Sequence, residues 1–208
     1  MSATLEARAD PWYGVVMSAP AVRRATYEDL CLVPEPLVAE ILAGTLYTSP
    51  RPAMRHARSS SILGGGLVGP FDLGAGGPGG WLILDEPELH LDEDVLVPDL
   101  AGWRRERLPR LPDVAAMTLA PDWVCEVLSP ATVRLDRALK MPIYAREGVA
   151  HLWLVDPIAR TLEVYRLTAE GWLLVGVHEG AAKVRAEPFD AVELDLAPLW
   201  LEEEPRRG

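Results

Sequence analysis

Short apolar runs separated by turn residues dominate the chain, and two of them carry a single acid. Val38 to Tyr47 reads as a hairpin turning at Ala43-Gly44 and ended by Pro50 and Pro52. Trp81–Leu84 starts a strand, and Glu88–Leu91 extends it or forms another. Val95–Trp103 predicts a strand containing Asp99, and Trp123–Leu128 one containing Glu126. His151–Val155 turns at Asp156-Pro157 into Thr161–Leu167, and Trp172–Val177 follows. Helices are expected where polar caps precede a longer period. Thr26 opens a short one through Leu30, and Ala53 to Leu67 forms a second, frayed by Gly64-Gly65-Gly66. Ser129 or Thr132 caps a third, Val133–Glu147, which stops at Gly148. Pro142 lies inside it and implies a kink or two segments.

Residues 1–25 read as irregular, 74–80 as a flexible loop, and the acidic stretch from Glu187 as surface-bound. A chain of 208 residues suits one domain with a sizeable core. The expected division is an N-terminal extension (1–37), a domain (38–186) and an acidic tail packed on that domain (187–208). The net charge of −11 argues against a non-specific polyanion binder. Cys31 and Cys125 are the two cysteines, which fits reduced thiols in a cytoplasmic protein rather than a disulfide framework. No apolar leader is apparent near Glu6 and Asp10, and the uncharged stretch 59–84 is too glycine-rich and too interrupted by Asp72 for a membrane span.

A carboxylate in a buried strand is costly unless it is paired or holds a cation. Two such acids before a basic helix point to a divalent-metal site. Val97-Pro98-Asp99-Leu100, then Pro121 to Pro130 around Glu126, then Asp136-Arg137-Ala138-Leu139-Lys140 with Tyr144, Gly148 and Trp153 to Pro157, together resemble the PD-(D/E)XK nuclease core. The closest resemblance is to its Uma-type branch of bacterial, restriction-endonuclease-like proteins, over roughly residues 38–167. It implies an α/β fold, αβββαβ, with a central mixed sheet flanked by helices. It implies a metal-dependent endonuclease acting on DNA. The resemblance places Mg²⁺ or Mn²⁺ on Asp99, Glu126 and the Val127 carbonyl. The usual strand lysine is replaced by Leu128, and its role passes to Lys140 on the next helix. Glu40, His56 and Tyr144 are accessory candidates, and a homodimer is expected.

Blander readings stay open beside these. Asp99 has Arg104 and Arg105 as possible ion-pair partners, Asp122 suits a turn or cap, and His56 suits an ordinary helix residue. Arginines at 51, 55, 58, 104, 105, 107, 110, 134, 137 and 146 make a positive rim or merely solvated faces. Gly64/66/69 and Gly74/76/79 both spell G-x-G-x-x-G, but neither joins a strand to a helix, so both are expected to be loops. The alternative function is a catalytically inactive nuclease-fold module for nucleic-acid binding or assembly. A small-molecule phosphodiesterase is a third.

Overall fold

The computed structural model describes residues 23–201, so most of the stretch read as irregular lies outside the described residues. The first elements are α1 (Tyr27–Cys31), β1 (Leu37–Leu42), β2 (Thr45–Pro50) and α2 (Met54–Leu67). Thr26 and Asp29 close a reciprocal capping box on α1. Ala43 and Gly44, at φ 52° and 76°, make the tight turn between β1 and β2. After α2 come β3 (Trp81–Asp85), β4 (Leu89–Leu91), β5 (Asp94–Leu96), β6 (Leu100–Arg104) and β7 (Trp123–Val127). Then follow α3 (Val133–Leu135), α4 (Met141–Arg146), β8 (His151–Asp156), β9 (Thr161–Thr168), β10 (Gly171–Glu179), β11 (Lys183–Val184) and β12 (Leu194–Asp195).

The main sheet runs β10-β9-β8-β7-β6-β3. Within it β7 and β8 pair in parallel and the rest antiparallel, so the sheet is mixed. The parallel pair needs a crossover, and α3 to α4 supplies it. A second sheet, β2-β1-β5-β4, lies beside it. The αβββαβ core is thus α2, β3, β6, β7, the α3–α4 segment and β8.

The strand expected over Val95–Trp103 is divided. β5 joins the small sheet and β6 the large one, and Val97-Pro98-Asp99 crosses between them. Pro98 has no ladder donor, so the run cannot continue as one paired strand. Asp99 therefore sits just before β6 rather than inside it.

Strand alternation sends the two faces of the main sheet into separate cores. Cys125 and Val127 face a cluster with Leu63, Trp81, Trp153 and Phe189. Val124 and Leu128 face another with Leu42, Leu96, Tyr144 and Leu154, which the small sheet and α4 cover. Gly64-Gly65-Gly66 does not fray α2, and Gly64 and Gly66 of the first glycine motif are helical, not loop. They are small because the helix lies close: a methyl at Gly64 would stand 3.2 Å from the Leu100 side chain, and at Gly66 3.3 Å from Leu194. Gly69 falls in a widened turn, Val68–Asp72, closed by Leu73 N–H to the Val68 carbonyl. The second motif is a loop.

The stretch after Glu187 also departs from expectation. Phe189, Leu196, Leu199 and Trp200 are buried. Phe189 meets the rings of Phe71, Trp81, Trp123 and Trp153 at 4.7–5.6 Å between centroids. The acids of this stretch masked a core segment that closes one sheet face. Phe189→Ala should therefore cost about 3–5 kcal/mol in urea unfolding. A loss below about 0.5 kcal/mol would restore the surface reading.

Candidate active site

The site forms at one end of β6 and β7, where both sheets, α2 and the α3–α4 segment meet. Asp99, Glu126, Glu40, His56, Asp136 and Lys140 line one cavity of about 270 Å³. Tyr144 reaches Glu126 from the buried side.

Asp99 is held from two directions. Its Oδ2 accepts the Val127 N–H at 2.7 Å, and its Oδ1 lies 3.2 Å from His56 Nε2. His56 stands in the first turn of α2 and is therefore more than an ordinary helix residue. Burial opposes its protonation, but the bond to Asp99 and the neighbouring acids outweigh that and raise its pKa. Neither Arg104 nor Arg105 serves Asp99. Arg104 lies over the Trp81 ring and Arg105 pairs with Asp72.

Glu126 points, with Val124 and Leu128, toward the face covered by α4. Its Oε1 accepts the Tyr144 hydroxyl at 2.6 Å. Lys140 Nζ lies 3.2 Å from Glu126 Oε1, 2.8 Å from Glu40 Oε1 and 3.7 Å from Asp136 Oδ1. It also donates to the Val97 carbonyl at 3.3 Å, while the Val97 N–H donates to Glu40 at 2.8 Å. Leu128 takes the place of the usual strand lysine in a buried apolar position, and a helix lysine reaches the same acid instead.

Pro142 shows how the lysine is aimed. It cannot donate to Ala138, and the backbone answers with a wide turn over Asp136–Lys140, closed by Met141 N–H to the Asp136 carbonyl. The helix is thus two segments joined by that turn. Asp136 and Lys140 both end up buried, facing the acids.

The charges do not balance. Glu40, Asp99, Glu126 and Asp136 surround one ammonium and one imidazole. Burial raises the Glu126 pKa well above the carboxylate range; Lys140 pulls it down, but Asp136, Asp99 and Glu40 push it up again. Lys140 itself stays protonated, since these carboxylates outweigh its own burial cost. Burial pushes the Asp136 carboxyl up to about 6 against the pull of Lys140 and Thr132. Because that folded pKa is raised, the stability penalty is absent below the unfolded value of 3.8 and complete above about 6. Asp136→Asn should stabilise the protein by about 1–3 kcal/mol near pH 8 and by little near pH 4. Equal effects at both pH values in thermal melts would contradict this.

A divalent cation suits this donor set. No three His, Cys, Asp or Glu side chains among the described residues form a ready-made cage. Magnesium sites often use only one or two carboxylates, with water completing the octahedron. Asp99 and Glu126, with the Val127 carbonyl, are a set of that kind, all hard oxygens. The excess of carboxylate and the buried, unpartnered Asp136 Oδ2 favour added positive charge.

The sequence reading gave Asp136 no role and did not single out Glu86, which lines the cavity. Asp136 was recoverable, being one helical turn before Lys140. Asp122 proves structural: it accepts from Arg104 N–H and Arg107 at 2.8 Å each. The positive rim is smaller than expected. Arg104, Arg105 and Arg107 sit at the far end of β6, roughly 15 Å from Asp99 by strand rise. Arg137 and Arg146 pair with Glu163 and Asp94. Arg51 lines the cavity, with Arg55, Arg58 and Arg134 exposed on the adjoining helices.

Comparisons with known proteins bear on the fold and the family. A crystal structure of a protein from Anabaena variabilis, described as a putative nuclease belonging to DUF820, superimposes with TM-score 0.65 at 23% identity, covering 84% of this chain and 97% of the other. At that identity the likeness shows the fold. No curated protein matches. A family match covers residues 24–197, most of the chain. The chain therefore belongs to the Uma2 family, described as putative restriction endonucleases.

Proposed function

We propose that the protein is a metal-dependent endonuclease that hydrolyses DNA phosphodiester bonds. The observation that carries this reading is Lys140 reaching Glu126 from a helix beside Asp99, which restores the acid–acid–lysine set despite Leu128. Asp99, Glu126 and the Val127 carbonyl would hold Mg²⁺ or Mn²⁺. The bound ion would polarise a phosphodiester oxygen and lower the pKa of a water. His56 and the Val127 N–H fix Asp99 in place. Tyr144 fixes the rotamer of Glu126. Glu40 and Asp136 keep Lys140 charged, so it can offset negative charge building on the phosphorus oxygens. An inactive module has no such need for an intact acid–acid–lysine set. The test is Mg²⁺- or Mn²⁺-dependent cleavage of supercoiled and of single-stranded DNA, with Glu126→Ala as the control. Wild-type protein that never cuts with either ion would end the reading.

The family description supports a nucleic-acid substrate, and no described helix is long and apolar enough to cross a membrane. A homodimer is part of the same proposal. The edge strand β10 leaves Leu173, Leu174, Val175 and Val177 each about half exposed, with no charge between Gly171 and Val177. Light scattering at micromolar concentration should give twice the 22.8 kDa chain mass, and a single-chain mass would refute it.

A further inference from the structure

We infer that the DNA cut at this site is single-stranded or locally unpaired, an inference that rests on the nuclease reading above. The reacting groups lie deep: Glu126 and Asp136 are 2% exposed, Lys140 4% and Glu40 6%. The cavity over them, about 270 Å³, falls just below the roughly 300–1,000 Å³ of small-molecule pockets. It has room for one sugar-phosphate unit rather than for the side of a duplex.

Its rim is stiff. Pro50-Arg51-Pro52 forms one wall and Ser129-Pro130-Ala131 another. Fixed proline φ angles keep these walls from swinging aside. A duplex phosphate is fixed on a rod, and the rod would meet both walls before that phosphate reached Glu126. An unpaired strand can bend one phosphodiester inward between them.

Charge agrees with this. A duplex carries one charge per ~1.7 Å of axis and is held by many basic contacts. Here the cavity lining offers one guanidinium, Arg51, beside Glu86 and the acid cluster, with Arg55, Arg58 and Arg134 merely exposed on the adjoining helices and a chain charge of −11. Arg51 also donates to the Glu35 carbonyl, which holds its guanidinium in place without neutralising it. Even if all four of these guanidiniums met phosphates, a single strand would give a salt slope no steeper than about −3.

The test compares cleavage by the full chain in Mn²⁺ of a single-stranded oligonucleotide, the blunt duplex of the same sequence, that duplex with a single-stranded tail, and bis(p-nitrophenyl) phosphate. The single strand should be cut at least tenfold faster than the blunt duplex, and the tailed duplex should be cut within its tail. Blunt duplex cut as fast as the single strand overturns this inference and leaves the nuclease reading standing. Cleavage of the small diester with no DNA cut overturns DNA as the substrate. No cleavage of any of the four overturns both.

Discussion

Lys140→Ala is expected to destabilise the metal-free protein by about 3–5 kcal/mol, the usual cost of removing one member of a buried charge cluster. For a chain of this size that is a fall in Tm of about 6–20 °C. Three carboxylates now share the ammonium, and without it Glu40, Glu126 and Asp136 face each other while buried. Added Mn²⁺ should recover part of the loss, so the metal-induced rise in Tm should be larger in the variant than in the wild type. DNA cleavage should fall by about 100-fold or more. Lys140→Arg should restore much of the stability but little of the rate, because a planar fork cannot occupy the place of a compact ammonium. Thermal melts with and without Mn²⁺, beside single-turnover nicking rates, decide the matter. An unchanged melt in Lys140→Ala would mean that the carboxylates take up protons at no cost and that the cluster is not electrostatically strained.

Glu126→Gln is expected to abolish both cleavage and metal-induced stabilisation while leaving the metal-free protein folded. Gln keeps the side-chain length and an oxygen for the Tyr144 hydroxyl, which donates at 2.6 Å in the wild type. It also removes one of four crowded acids, so the metal-free variant should melt no lower than the wild type. A ligand at 100 times its Kd stabilises by about 2.7 kcal/mol, and this gain should vanish with the carboxylate. Titration calorimetry with Mn²⁺ reads the same loss directly. Full metal binding in Glu126→Gln would show that the cation sits elsewhere.

Much of the architecture was legible because strand alternation and caps are local signals. The Ala43-Gly44 turn, the Thr26 capping box and the Gly148 stop needed only adjacent residues. The failures share a cause: they depend on what a segment meets in space. The three glycines of α2 look like a helix breaker until Leu100 lies against Gly64 and Leu194 against Gly66. The stretch after Glu187 looks solvated because acids interrupt its apolar residues and no regular period is apparent, yet Phe189 and Trp200 are buried. The division at Asp99 was hidden because two strands of different sheets are separated by only Val97-Pro98-Asp99. At the site, acids set into apolar strands singled out Asp99 and Glu126, and the resemblance to the Uma-type branch pointed to Lys140. The partnership of Glu40 with Lys140 spans 100 positions and joins the small sheet to the helical crossover, which no periodicity can report.

The two edges of the main sheet are chemically unequal. On β3, the Ile83 N–H is taken by the Asp72 carboxylate at 3.0 Å, and Arg105 holds that carboxylate from the other side at 2.7 Å. On β10 the run from Gly171 to Val177 is apolar and uncharged, with Glu179 only at the strand's end. A sheet with two open edges can add copies without limit, whereas one blocked edge makes growth self-terminating. Pairing through β10 consumes the adhesive edge of both copies and leaves two capped ends pointing outward. If copies pair through β10 as proposed, the Val68–Asp72 turn that covers β3 would keep each pair from growing further, from the opposite side of the sheet.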